Sequence, residues 1–300
     1  ARLSVLEAFF HHAHEALVSS PAGEKARVYL TKDRGFREDE LEDLPLGLYT
    51  DPETVKDALT RRGLAVEDLR SAGLLPPAFG DGTTKWTGRL VGELRDRRGF
   101  LENVWARTLV EGEEPKYLYL AGAPKTDLGA FGLHEALRTD EGRKDLLLVE
   151  GVLDVVSLPL RGFPGVAAIG GSGREMNALR WAKLAELRVR RVTLALDNDE
   201  AGREGAVAAV EAASRVEGAP EVYVVNPSLL GASKDPDAFV RTHGKDAFLE
   251  VLSHARAAGV FLAELALEGV TPASPDKVRR EAVDRVLDVV NARRGERAGM

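Results

Sequence analysis

Short apolar runs alternate with helical segments along the second half of the chain, from about residue 143 to residue 225. The strand-like runs cover 146–149, 165–169, 192–196 and 222–225, and helical patterns fill the intervals at 152–160, 174–188 and 201–216. Strands that alternate with helices form parallel β-α-β units, and uninterrupted apolar strands are typical of a sheet that is covered on both faces. We therefore predict an α/β fold with a parallel sheet.

The first 130 residues have a different pattern. Helical segments at 3–18, 24–32, 37–44, 52–62 and 65–72 precede two strand-like runs at 87–95 and 100–109, which are followed by a predicted loop at 112–128. A chain of 300 residues is long enough for two or three packed units. The sequence thus predicts an N-terminal mixed α/β subdomain over 1–130, a parallel-sheet domain over 143–243 and a C-terminal helical subdomain over 244–300.

Composition excludes several kinds of site. The chain has no cysteine, so disulfides and cysteine-ligated zinc sites are not possible within it, and a reducing cytoplasm is the expected location. No apolar run approaches the roughly 20 residues that span a bilayer, so we expect no membrane association. The net charge of −7 argues against nonspecific binding of polyanions, although acids gathered around metal ions would mask a basic groove elsewhere.

Acidic side chains follow three of the predicted strands. Glu150 follows the first strand, Asp197 and Asp199 follow the third, and Asp235 and Asp237 lie in the loop after the fourth. Because open parallel sheets bind ligands at the carboxyl ends of their strands, we expect these carboxylates to lie close together. Such a group repels itself unless hard cations such as Mg²⁺ or Mn²⁺ relieve the repulsion. Paired metals of this kind support phosphoryl transfer.

Each acidic segment taken alone has an ordinary interpretation as a helix cap or a solvated loop. The segment that begins at Asp197 fails as a calcium-binding loop, because its fifth position is Ala201 and its twelfth is Ala208. The order of the acids and their places at strand ends favour a shared metal site over three unrelated caps.

These segments resemble the motifs of the TOPRIM fold, which DnaG-type primases, topoisomerases and some nucleases share. Residues 147–154 (LLVEGVLD) are similar to the motif that carries the family's glutamate. Residues 196–202 (LDNDEAG) are similar to its paired-aspartate motif, and residues 234–237 (KDPD) are similar to the third acidic element of primases.

The resemblance to primases continues upstream, over roughly residues 25–245. It includes the pattern at 29–35, the predicted strand pair with Arg89 and Arg107, and the basic motif at 115–118 (PKYL). By this resemblance the chain is identified as the RNA polymerase core of a DnaG-type primase. The implied fold is a TOPRIM parallel-sheet domain flanked by an N-terminal mixed α/β subdomain and a C-terminal helical subdomain.

The resemblance also implies an activity and a set of site residues. The activity is that of a nucleotidyltransferase, a DNA-directed RNA polymerase that makes short RNA primers from NTPs on a single-stranded DNA template. The implied catalytic residues are Glu150, Asp154, Asp197 and Asp199, and the implied ligands of Mg²⁺ or Mn²⁺ are Glu150, Asp197, Asp199, Asp235 and Asp237. The implied contacts to nucleic acid or nucleotide are Arg89, Arg107, Lys116, Tyr117, Lys125 and Lys234.

Departures from the family pattern keep two alternatives open. The family's Asn-Ser after the basic motif is replaced by residues 119–122 (YLAG), and the chain has no cysteines for the family's zinc module. A TOPRIM nuclease would share the acids, and a degenerate module would bind nucleic acid or a helicase without catalysis. The expected protein partner is a replicative helicase or a fused helicase domain, whose motor would lie outside this chain because no P-loop motif is present.

Overall fold

The computed structural model describes residues 2–77, 84–96, 98–121 and 130–298, with side chains described through residue 287. The chain divides into two compact units, Ala1–Leu128 and Gly129–Met300. Each unit has its own hydrophobic core. The further division of the second unit into a parallel-sheet domain and a helical subdomain stays a prediction.

The first unit combines a helical layer with an antiparallel sheet. Its helices are α1 (Arg2–Ser19), α2 (Glu24–Val28), α3 (Pro52–Arg61) and α4 (Val66–Ser71), and its strands are β1 (Leu46–Tyr49), β2 (Arg89–Arg95), β3 (Leu101–Arg107) and β4 (Tyr117–Tyr119). The strands lie in the order β1-β2-β3-β4, and each neighbouring pair is antiparallel. The predicted pairing of the runs at 87–95 and 100–109 is confirmed in β2 and β3.

Local sequence explains most of these helices. Helix α1 buries one apolar face, which includes Leu6, Phe9 and Leu17, as helical spacing predicts. Helix α3 begins at Pro52 because the Asp51 side chain accepts a hydrogen bond from the Thr54 amide at 2.9 Å. The segment at 37–44 was expected to be helical and forms a 3-10 helix over Glu38–Asp43.

Two strands of the first unit do not follow from its sequence pattern. Strand β1 lies between helical segments, and a Cβ on its Gly47 would lie 2.7 Å from the Ala13 carbonyl carbon, so α1 packs directly on the strand backbone. Strand β4 lies within the predicted loop at 112–128, and that part of the prediction is wrong. Both strands are short, and their pairing partners are distant in sequence.

The second unit is built on a mostly parallel sheet. Its strands are β5 (Leu146–Val149), β6 (Val166–Ala168), β7 (Arg191–Leu194), β8 (Glu221–Val224) and β9 (Arg256–Ala257), in the order β6-β5-β7-β8-β9. The first four are parallel, as the alternating pattern predicts. Strand β9 adds an antiparallel edge within the region 244–300, for which the sequence predicts helices.

Helices cover this sheet and extend to the C-terminal end. They are α5 (Leu133–Ala136), α6 (Asp140–Lys144), α7 (Asp154–Leu160), α8 (Ala178–Glu186), α9 (Glu200–Ser214), α10 (Pro236–Ser253), α11 (Ala258–Ala266) and α12 (Asp276–Ala298). Helix α10 is interrupted at Gly244, which has φ 85° and ψ 174°. No helix in the described part of the chain combines the length and the apolarity that crossing a bilayer requires.

A close contact in the first unit depends on the absence of a side chain at Gly92. The Trp105 ring lies across this residue, so that a Cβ on Gly92 would lie 2.0 Å from the ring. Trp105 is 3% exposed, and its ring also packs against that of Tyr117 at 6.1 Å between centroids, so it cannot shift without disturbing close packing. The pairing of Gly92 with Trp105 across β2 and β3 therefore requires glycine.

We expect Gly92→Ala to lower the free energy of unfolding by about 1–3 kcal/mol, because the added methyl group displaces the Trp105 ring. Urea unfolding followed by tryptophan fluorescence measures the change. The same substitution in a Trp105→Leu background should cost less, since the clashing ring is gone. An equal cost in the two backgrounds would show that the contact does not determine the effect.

Candidate active site

The three acidic segments lie at the same edge of the parallel sheet. Glu150 directly follows β5, Asp197 and Asp199 follow β7, and Asp235 precedes α10 in the connection after β8. Strands β5, β7 and β8 are neighbours in the sheet and run parallel, so their carboxyl ends meet. The sequence prediction that separate loops bring these acids to one edge of the sheet agrees with this topology.

Glu150 has a pKa well above that of an ordinary glutamate. Burial, followed by the charges of Asp197 and Asp199, raises the pKa of Glu150 to about 7. A hydrogen bond from the Asp197 backbone amide and the charge of Lys234 oppose this shift. The Oε1 atom of Glu150 is buried and has no hydrogen-bond partner among the described residues. A buried carboxylate oxygen without a partner is suited to a cation.

The Asp197–Asp199 turn is shaped by the start of α9. Asp199 is the N-cap residue of this helix, and its side chain accepts a hydrogen bond from the Gly202 amide at 2.8 Å. A Cβ on Gly202 would lie 2.1 Å from the Asp197 carbonyl oxygen, so only glycine lets the helix begin this close to the turn. The glycine at position 202 of the paired-aspartate motif is therefore required for steric reasons.

A second group of acids consists of Asp154, Asp235 and Asp237. One carboxylate oxygen from each lies within 4.8 Å of the others, an arrangement that fits a divalent cation. Asp235 is the N-cap residue of α10 and accepts a hydrogen bond from the Ala238 amide at 2.7 Å. Asp154 begins α7, and its carboxylate lies against Gly151, where a Cβ would be 2.7 Å from Oδ2.

Asp237 differs from its neighbours because it is surrounded by donors. It is 1% exposed and accepts hydrogen bonds from the Ser157 hydroxyl and, at 3.0 Å, from Nε of Arg241. Nη1 of Arg161 lies 3.9 Å from its Oδ1. Two guanidinium groups thus balance the charge of this buried carboxylate, as a buried charge requires. This geometry favours a role in positioning its neighbours over a role as an open metal ligand.

Asn198 joins two of the acidic loops, a role that its sequence motif does not predict. Its backbone amide donates to the Lys234 carbonyl at 2.7 Å, and its Nδ2 donates to the carbonyls of Gly231 at 2.8 Å and Ser233 at 3.3 Å. Since both neighbours of the side chain are carbonyl acceptors, the amide NH₂ must face them. An amide between two aspartates is a weak signal in sequence, because its partners are more than 30 residues away.

The expected nucleic-acid contacts lie mainly in the first unit. Arg89 is 1% exposed, and its guanidinium donates to the Lys85 carbonyl at 2.6 Å, the Pro115 carbonyl at 2.8 Å and the Glu113 carboxylate at 2.9 Å. This burial argues against the expected contact between Arg89 and phosphate. Arg89 instead fixes the segment that carries Lys116.

The other basic residues are placed differently. Arg107 ends β3 and pairs with Tyr117 across β3 and β4, while the Thr108 amide donates to the Lys116 carbonyl at 3.1 Å. The Tyr117 ring packs edge-on against Trp105 at 6.1 Å between centroids, which gives it a packing role whether or not it also stacks on a base. Lys125 lies outside the described residues. Lys234 belongs to the second unit and lies near Glu150.

Comparison with known proteins agrees with this architecture. Residues 145–246 match the family model of the Toprim domain. The DNA primase of Pseudomonas aeruginosa is 30% identical over 241 residues, which is 78% of this chain and 35% of the relative. The DNA primase of Haemophilus influenzae is 29% identical over 253 residues, which is 81% of this chain and 40% of the relative.

A solved structure gives the deciding similarity. The DnaG primase catalytic domain bound to ssDNA superimposes with a TM-score of 0.73 at 27% identity, over 97% of this chain and 92% of that one. The chain contains a Toprim domain and is a homologue of the DnaG-type primases. It has the catalytic-core fold of these primases and spans between about a third and two fifths of the length of the curated relatives it matches.

The acidic edge of this DnaG-type core should make its stability depend on pH in the absence of metal. The pKa of Glu150 is about 7 in the folded protein, above the ordinary 4.5, so the folded state binds more protons than the unfolded state between these values. Stability conferred by the protonated form is therefore lost as pH rises through that window. Glu150→Gln removes this loss, so its advantage in melting temperature over wild type should grow with pH.

Thermal melts in EDTA at several pH values from about 4.5 to about 8 measure that advantage. Mg²⁺ added at the highest pH should stabilise the wild type more than Glu150→Gln, because the variant offers a weaker ligand. A constant difference between the two proteins at every pH would contradict the assignment of the raised pKa to Glu150.

Asn198→Ala should weaken divalent-metal binding by about tenfold, because the loop that carries Asp235 loses its tie to the Asp197–Asp199 turn. Electron paramagnetic resonance of free Mn²⁺ gives the dissociation constant. Asn226→Ala is the matched control, since Asn226 lies in the same unit and its side chain, among the residues that the structure describes, bonds to the nearby Ser228 and not to Asn198. Equal Mn²⁺ affinities for wild type and Asn198→Ala would exclude this positioning role.

Proposed function

We propose that this chain is the RNA polymerase core of a primase and makes short RNA primers from NTPs on single-stranded DNA. The observation that carries the proposal is the gathering of Glu150, Asp197 and Asp199 at the carboxyl edge of the sheet, where one buried Glu150 oxygen has no hydrogen-bond partner in the described part of the chain. The similarity to a catalytic domain bound to ssDNA supports the choice of template.

The residues present fit Mg²⁺ or Mn²⁺. Glu150, Asp197 and Asp199 would hold one such ion, and Asp154 and Asp235 would contribute oxygens on the other side of the edge. All of these ligands are carboxylates, which hard divalent ions prefer. When bound, such ions withdraw negative charge from a phosphate that is under attack and from its leaving group.

The chain's own residues would transfer the proton, position the ligands and contact the nucleotide. Glu150 is suited to accept the proton of the attacking 3′ hydroxyl or to orient that hydroxyl, because its pKa of about 7 lies near the working pH. Asp237 would hold Asp154 and Asp235 in place through its own contacts with Arg241 and Ser157. Lys234 would contact the phosphates of the incoming nucleotide.

The first unit would bind the template. Arg107, Lys116 and Lys125 would contact phosphates, and such contacts position a strand without reading its sequence.

We further propose the division into a basic subdomain over 1–130, a TOPRIM domain over 143–243 and a helical subdomain over 244–300. A replicative helicase, or a helicase domain fused to the chain, is the proposed protein partner, and the cytoplasm is the proposed location.

The test is primer synthesis on single-stranded DNA with labelled ribonucleotides and Mg²⁺ or Mn²⁺. Asp197→Asn should reduce RNA synthesis by roughly two orders of magnitude or more, because the metal edge loses a charged ligand. Its melting temperature in EDTA should not fall, since removing one carboxylate relieves repulsion.

Asp246→Asn is the matched control, since Asp246 is an exposed acid on α10 away from the three acidic loops. It should synthesise RNA at the wild-type level. Metal-dependent DNA cleavage without RNA synthesis would instead assign the chain to the TOPRIM nucleases. Absence of both products, even on a pre-annealed primer, would indicate a binding module and overturn the proposal.

A further inference from the structure

One corner of the first unit's sheet brings several cations together. Arg107 is the last residue of β3, and the register of β3 with β4 places it opposite Tyr117, next to Lys116. In the other direction Arg107 pairs with Leu90, the residue that follows Arg89. Two arginines and a lysine therefore lie at the same end of these three strands.

Glu113 is a carboxylate close to these cations, and both of its oxygens already accept hydrogen bonds. Its Oε1 accepts a hydrogen bond from Arg89 at 2.9 Å, and its Oε2 accepts one from the Thr108 hydroxyl. The Thr108 hydroxyl, Arg89 and Lys25 lower the pKa of Glu113, so the carboxylate is fully ionised near neutral pH. Arg89 is thus neutralised within the fold.

Arg107 is placed in a different way. Its guanidinium carbon lies 4.8 Å from the centroid of the Tyr29 ring. Its Nε is buried and has no hydrogen-bond partner within the described ranges, and no carboxylate there forms an ion pair with it. A ring face holds a guanidinium in one orientation and leaves the N–H groups at its edge available as donors. The Arg107 guanidinium can therefore still bind an anion from outside the protein.

Tyr29 reaches this corner from a neighbouring element. It begins a π-helical turn, Tyr29–Asp33, that continues α2, and Lys25 lies one turn before it on the same face. Turns of this kind are uncommon and often occur at functional sites. Lys25 acts on Glu113 and so lies at the same corner. Helix α2 therefore adds an aromatic ring and a cation to the basic strand ends.

We propose that Tyr29 is a positioning residue, which holds the Arg107 guanidinium ready to bind a phosphate of single-stranded DNA. This inference rests on the proposed function and extends the nucleic-acid surface to α2. Arg107 makes the phosphate contact, and Tyr29 acts only through Arg107 by limiting the orientations of its side chain. The aromatic ring is what matters, and the phenolic hydroxyl is not needed.

The test compares two substitutions at Tyr29 by fluorescence anisotropy of a fluorescein-labelled oligothymidylate. Tyr29→Leu should weaken binding roughly three- to tenfold, because the ring that orients the guanidinium is lost. Tyr29→Phe keeps the ring and should bind within about twofold of wild type. Circular dichroism and melting temperature establish that each variant is folded. Loss of affinity in both variants to the same degree overturns the role of the ring.

Arg107→Ala distinguishes the role of the Tyr29 ring from that of the Arg107 phosphate contact. This variant should bind more weakly than Tyr29→Leu and should reduce the slope of log affinity against log salt by about 0.7, the value for one phosphate contact on a single strand. Adding Tyr29→Leu to Arg107→Ala should weaken binding no further, since the ring acts through the arginine. Additive losses in the double variant overturn the proposal.

Tyr223→Leu is the matched control. Tyr223 also carries a stacked arginine, with the Arg191 guanidinium 4.2 Å from its ring, but Arg191 has Asp145 and Glu221 as ionic partners. This variant should bind the oligothymidylate as wild type does. Failure of the wild type itself to bind would overturn the proposed function and the inference with it. Wild-type binding that is lowered by Arg107→Ala but unchanged by Tyr29→Leu overturns the inference alone.

Discussion

Repulsion among carboxylates at the edge of the parallel sheet is the constraint on which the second unit depends. Parallel strands place their carboxyl ends together, so acids that follow them cannot avoid one another. Burial raises the pKa of Glu150, and repulsion from Asp197 and Asp199 raises it further. The fold tolerates it by giving several of the acids structural partners. Asp199 and Asp235 cap helices with one oxygen each, and Asp237 is enclosed by donors.

These partners also divide the acids by role. A cap uses one carboxylate oxygen and leaves the other available, so Asp199 and Asp235 can stabilise helices and still bind a cation. Two arginines, Arg161 and Arg241, neutralise the charge of Asp237 within the protein. Asn198 then fixes the distance between the two loops that carry the capping acids. The order of the site before any metal binds therefore comes from hydrogen bonds between loops.

The sequence predicts the second unit well because its signals are local. Apolar strands and the acids that follow them are consecutive in the chain, so the run that ends at Val149 already implies where Glu150 lies. Strands β1 and β4 could not be found in this way, since both are short and each is fixed by pairing with another segment of the chain. The bonds from Asn198 to the next acidic loop and the donors around Asp237 could not be predicted for a related reason. Ser157 is 80 residues from Asp237, and sequence pattern does not reveal such pairs.

Residue type also could not distinguish the arginines of the first unit. Arg89 and Arg107 lie at the same end of two neighbouring strands and fit the same motif, yet one is buried against Glu113 and the other has a ring as its partner. The comparison with Arg191 shows that stacking does not decide the matter either, because Arg191 lies on Tyr223 and still has carboxylates nearby. An arginine can bind an external anion only when the fold has not already supplied one. Counting the carboxylates around each guanidinium therefore says more about binding than the motif in which it occurs.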